Sequence, residues 1–179
     1  MLCGIVITGL AQEARKISET VAFLPNDQWK DVQLENHTAA SIALSHIPGE
    51  VTATFRTELN KTIVREVQRL VRDVAKAKIR KAGPGEYELP PTVLRAQTVC
   101  QQPPSWLETT ENEINIIQPL HYSIANAKLR LHRKRTGEDD KTKLQHGAVI
   151  VVFGGVMYLP EPLSTPFLMH RLLIEPVDD

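Results

Sequence analysis

Residues 57–81 constrain this chain more than any other segment, because two rows of opposite character share one helical rhythm. Leu59, Ile63, Val67, Leu70 and Val74 recur at spacings of three and four, and Lys61, Arg65, Arg69, Arg72, Lys76 and Arg80 do the same from two residues later. At about 100° per residue, an offset of two sets the basic row roughly opposite the apolar one. The spacing predicts one long helix over 57–81, with an apolar edge for the core and a cationic edge for solvent or a partner. Thr57 is placed to cap its start, since a threonine hydroxyl accepts from first-turn amides. Lys78, Arg80 and Lys81 suit the negative end of the helix dipole, and Gly83-Pro84 supplies a stop.

The flanking segments carry shorter signals. Residues 2–8 are rich in β-branched side chains and read as a buried strand. Residues 11–23 place Ala14, Ile17 and Val21 on one face, a short amphipathic N-terminal helix that Pro25-Asn26-Asp27 ends. Strands are expected at 40–47 and 51–55, around the turn Pro48-Gly49-Glu50, and again at 92–100. The proline-rich stretch 83–91 and Pro103-Pro104 read as turns between packed elements. From Ile116 onwards the chain is strand-rich. Leu120, Tyr122 and Ile124 alternate with His121, Ser123 and Ala125, and Leu129 and Leu131 lead to a charged tip at 133–141. Residues 148–153 and 167–174 look like two further strands, and Gly154-Gly155 reads as a bulge in an apolar run. Two helices and about six strands in irregular order predict an α+β fold. Its mainly antiparallel sheet would carry both helices, in a single domain over 1–179.

The formal net charge of zero hides strong segregation. Residues 1–55 hold three basic and six acidic side chains, 56–81 nine and three, 86–127 one and five, and five basic residues fall within 128–135. Such a patched surface suits a polyanionic partner, or self-association in which opposite patches of two copies pair. Glu66–Arg69, Arg69–Asp73 and Asp73–Lys76 are spaced for intrahelical ion pairs, each worth about 0.2–0.5 kcal/mol, which would neutralise part of the row. Aromatic residues make up 5% of the chain and none interleave with the basic residues, so backbone contact is expected in preference to base stacking. Two cysteines, Cys3 and Cys100, cannot build a disulfide framework. The apolar run 2–10 lacks a basic leader and is too short to span a bilayer. An intracellular, cytoplasmic protein without a transmembrane segment is expected.

Chemistry-bearing motifs are few. The histidines, His37, His46, His121, His132, His146 and His170, show no zinc spacing, and no metal or cofactor is expected. His121-Tyr122-Ser123 resembles the second motif of the two-histidine phosphoesterases. That resemblance implies one histidine as base, one as acid, and hydroxyls holding a phosphoryl group. The first motif is absent: His37-Thr38-Ala39 carries its hydroxyl one position early, and His46-Ile47-Pro48 has none. Leu2-Cys3-Gly4-Ile5 resembles the start of class II glutamine amidotransferases, but removal of Met1 alone would leave Leu2 ahead of Cys3.

These features predict a non-enzymatic binding or assembly protein that contacts a polyanion, nucleic-acid backbone above all. The contact row would be Lys61, Arg65, Arg69, Arg72, Lys76 and Arg80, with Arg133, Lys134 and Arg135 at the hairpin tip. The alternative is a small phosphoesterase built on His121 and Ser123 with His37 or His46.

Overall fold

A computed structural model describes residues 4–7, 30–32, 42–46, 64–80, 91–95, 97–98, 106–119, 126–145, 147–162 and 165–177. In chain order these form β1 (Gly4–Ile7), β2 (Lys30–Val32), β3 (Ile42–His46), α1 (Val64–Ala75), β4 (Ala77–Ile79), β5 (Pro91–Arg95) and β6 (Gln97–Thr98). There follow β7 (Leu107–Thr109), β8 (Glu113–Pro119), β9 (Lys128–Arg133), β10 (Glu138–Lys143), β11 (Val149–Phe153), β12 (Val156–Glu161) and β13 (Pro166–Pro176).

A six-stranded antiparallel sheet runs β1-β11-β8-β13-β4, with β5 also paired to β13. A second, four-stranded sheet runs β10-β9-β12-β7, and a small third sheet is β2-β3-β6. Every residue of β8 and β11 is buried, because both faces of these central strands are covered. On one face Ile114, Ile116, Val149, Val151, Phe153 and Leu172 pack against Val64, Val67 and Val71 of α1. On the other, Ile117, Ile150, Val152 and Phe167 meet Leu129, Leu131, Val156 and Tyr158 of the second sheet. Two-sided burial explains why Val149–Phe153 is a continuous apolar run and does not alternate. Each fully buried aliphatic side chain contributes about 1.5–3 kcal/mol, so both layers are needed to hold the central strands.

The α+β expectation is corrected. The chain is mostly antiparallel sheet folded as two packed layers, and α1 is the one helix among the described residues. The helix expected over 57–81 stops at Ala75. Lys76 takes a left-handed backbone (φ 51°), and Ala77–Ile79 pairs with Ile174, Glu175 and Pro176 of β13. Burial of Ala77 and Ile79, with Lys78 between them less buried, is the period-two pattern of a strand. Sheet pairing thus overrides the helix propensity of this Ala/Lys-rich stretch. The buried stripe of α1 is centred on Val64, Val67 and Val71, with Leu70 and Val74 flanking it. The N-terminal helix expected at 11–23 lies outside the described residues, as do Leu59 and Ile63. Gly154-Gly155 is the tight turn at which the chain passes from β11 in the first sheet to β12 in the second, and not a bulge.

Candidate small-molecule cleft

Two tight turns build a cleft at one end of the layered sheets. In the β11–β12 turn Gly155 has φ 73°, a conformation glycine adopts without penalty. The 110–112 turn sits directly on it. A Cβ on Gly154 would collide with the carbonyl oxygens of Thr110 and Glu111, and one on Gly155 would lie 2.9 Å from Glu111 Oε1. The Gly155 amide donates to the Thr109 carbonyl at 2.9 Å, and the Glu113 amide closes the neighbouring turn on the Thr110 carbonyl at 3.1 Å. Opposite stands the β9–β10 hairpin, closed by the Gly137 amide on the Arg133 carbonyl at 2.8 Å. Lys134 N–H donates to the Gly155 carbonyl at 3.3 Å and ties the hairpin to the glycine turn.

Between these turns lies a cleft of about 480 Å³. Ala75, Phe153 and Ile174 give it apolar lining, and Glu111, Arg133, Arg135, Thr136 and Glu138 give it polar lining. Arg133 Nε lies 3.9 Å from Glu138 Oε2, and Thr136 Oγ1 donates to the same carboxylate at 3.0 Å. Among the described residues Glu111 and Arg135 have no ion-pair partner. The cleft therefore offers both signs of charge beside an apolar wall, an arrangement suited to recognition.

Elsewhere polar groups are mostly consumed by one another. Between the sheets Asn115 Nδ2 donates to Thr109 Oγ1 (2.9 Å) and Tyr158 Oη (3.2 Å), and Tyr158 donates to Met169 Sδ (2.8 Å). Burial holds the Tyr158 phenol far above its usual range, and the Arg171 charge and the Asn115 hydrogen bond offset this in part. The hydroxyl thus stays protonated and able to donate. Arg171 Nε donates to Glu113 Oε2 at 2.8 Å at the edge of this cluster.

On the helix-facing side of the same strands, Gln118 and His170 are buried with all four side-chain polar atoms unpartnered. His170 lies opposite Ile116, and Gln118 is two residues further along β8. Burial pushes the His170 imidazole down to about 3, so it is neutral at ordinary pH.

The basic residues singled out from the sequence do not form one surface row. Lys61 lies outside the described residues. Arg65, Arg69 and Arg72 are exposed on α1, with Arg69 paired to Glu66 at 3.3 Å. Lys76 sits in the turn after the helix, and Arg80 lies past β4, 3.5 Å from Glu175. Arg133 and Arg135 line the cleft, whereas Lys134 pairs with Glu108 at 2.6 Å. The fold also brings Trp106 beneath Arg130 (5.3 Å) and beside His132 (6.1 Å), and His132 Nδ1 lies 2.8 Å from Asp139. Sequence reasoning missed Glu111 and Glu138 and took the two glycines of the cleft for a bulge. Gly154-Gly155 between two apolar runs is a turn signal that would have located this corner between the two sheets. No comparable signal marks Glu111.

His37, His121, Ser123 and Cys3 lie outside the described residues, and His46 is placed on β3 by its backbone alone. The phosphoesterase alternative gains no support. The two described histidine side chains serve other environments: His170 in the core, His132 beside Asp139. Among the described residues no group of three or more His, Cys, Asp or Glu is placed to hold a metal ion. Among them, too, no helix is long and apolar enough to cross a membrane.

No family model and no curated protein matches the chain. Among solved structures it is similar to a Pseudomonas putida prolyl-4-hydroxylase, at 10% identity over 98% of this chain and 94% of that one, with a TM-score of 0.49. It is similar to Streptomyces albus HEPD bound to 2-hydroxyethylphosphonate and Fe(II), at 12% identity over 86% of this chain, with a TM-score of 0.41. The chain spans about a quarter of that protein, 25% of its length. A third, described as an oxygenase from Shewanella oneidensis, gives 11% identity, 97% and 82% coverage and a TM-score of 0.43. Likenesses this distant transfer no activity, and the described residues do not fit an iron centre. The expectation of a non-enzymatic polyanion-binding protein is nonetheless corrected. The single basic helix row on which the expectation stood is broken at Ala75, beyond which the chain runs as a strand.

Proposed function

We propose that this chain is a ligand-binding domain that takes a small polar molecule into the cleft between the β9–β10 hairpin and the β11–β12 turn. The observation that carries the reading is the cleft itself. Its 480 Å³ falls within the range of about 300–1,000 Å³ typical of small-molecule sites. Charged groups converge there beside the apolar side chains of Phe153 and Ile174, and such a mixture orients a ligand while burying its hydrocarbon part. Glu111 and Arg135 are available for it, since neither is used within the described structure. A rigid frame surrounds the site, because the glycine turn and the hairpin are tied by backbone hydrogen bonds.

The test is a saturation-transfer NMR screen of small polar molecules against the wild-type protein and Thr136→Trp. Thr136 is an exposed turn residue lining the cleft, so an indole there occupies the space without entering the core. Hits that compete with one another and vanish in T136W are the expected result. Hits that survive in T136W, or an empty screen, would remove the cleft as the ligand site.

A further inference from the structure

We infer that the ligand of this cleft is a small zwitterion of dipeptide size, its ammonium held by Glu111 and its carboxylate by Arg135. This rests on the ligand-binding reading of the cleft and goes further by naming the chemistry. Glu111 and Arg135 line the same cavity with opposite charges, yet they neither pair with each other nor find another partner among the described residues. The remaining charged pair behaves differently. Arg133 and Glu138 stand opposite each other in the hairpin register and lie 3.9 Å apart, so they largely cancel. What remains is one unmatched anion and one unmatched cation lining the same cleft. A simple anion would satisfy Arg135 and leave Glu111 facing it, and a simple cation would do the reverse. A molecule carrying both charges satisfies both groups with charge-assisted hydrogen bonds, the stronger kind.

Size and lining narrow the class. A cavity of 480 Å³ corresponds to the volume of roughly sixteen waters at about 30 Å³ each, more than a single amino acid needs. An extended dipeptide holds its terminal charges about 5–6 Å apart, further than a direct ion pair. Phe153, Ile174 and Ala75 give its side chains an apolar wall. Ala75 also brings the C-terminal end of α1 to the cleft, where the helix carbonyls add partial negative charge favourable to an ammonium.

Calorimetric titration with alanyl-leucine, its N-acetyl derivative and its C-terminal amide tests the inference. The wild type is expected to bind the free dipeptide about tenfold or more tightly than either blocked form, the size of one charge-assisted contact. Glu111→Gln should lose the discrimination against the N-acetyl form, and Arg135→Gln that against the amide, with unchanged melting temperature. Equal binding of all three probes, or variants that keep the discrimination, would overturn the assignment. If other molecules bind in the cleft and alanyl-leucine does not, the zwitterion inference fails and the ligand-binding reading stands. If nothing binds there, both fail.

Discussion

The polar groups between the two sheets and those around the cleft make an instructive contrast. Between the sheets Asn115, Thr109, Tyr158 and Met169 are locked into one connected set, and only Asn115 Oδ1 is left over. Around the cleft Glu111 and Arg135 are left without partners among the described residues. Buried polar groups that satisfy one another hold a structure together. Accessible groups that do not are free to hold something else. The Gln118–His170 pair belongs to neither class, being buried yet unpartnered, and it is a standing cost to the fold.

Substitutions can break or sharpen this contrast. The largest effect is expected from Asn115→Ala, which removes the amide donor shared by Thr109 and Tyr158 and should cost about 1–3 kcal/mol in urea denaturation. A loss below about 1 kcal/mol would mean that the connected set is not what holds the sheets.

Next is the response to acid. The unfolded chain protonates His170 near its ordinary value of 6.5, whereas the folded chain resists until about 3. Within that window the unfolded state binds the extra proton, so stability falls as pH falls, by about 1.4 kcal/mol per pH unit for this group. Carboxylates titrate in the same range. The diagnostic quantity is therefore the difference between wild type and His170→Leu, which should grow from pH 6.5 towards pH 4.5. A constant difference would place His170 in a solvated or hydrogen-bonded setting.

A smaller effect follows at neutral pH. His170→Leu and Gln118→Leu each remove an unpartnered buried polar group, and each should leave stability unchanged or raise it by about 1 kcal/mol. Smallest of all, Glu111→Gln and Arg135→Gln should shift stability by less than about 0.5 kcal/mol, because neither makes an ion pair or a side-chain hydrogen bond within the described structure.

Much of the layered core was legible in the residues. The run at 148–153 emerged as β11, the stretch around Leu129 and Leu131 as β9, and 167–174 as the longer β13. A long helix over 57–81 was not what formed: Ala77 continues the helical spacing from Val74, but Ile79, two residues on, fits only the period of a strand. Pairing with β13, distant in sequence, decides for the strand. The cleft was legible only in fragments. Arg133 and Arg135 stood out as charges, but their meaning depends on Glu111, which the Gly154-Gly155 turn brings near from another part of the chain. A charge pattern along a sequence does not reveal which charges neutralise one another in space. Lys134 looked equivalent to its neighbours and proves to be spent on Glu108.

The most direct test of the cleft is a two-dimensional amide NMR titration of the wild-type protein with alanyl-leucine. The expected result is a saturable shift confined to Glu111, Arg135, Thr136, Gly137, Gly154 and Gly155, with the amides of the distant Lys128 and Lys143 unmoved. Shifts that spread over the α1 arginines, or none at saturating dipeptide, would contradict it.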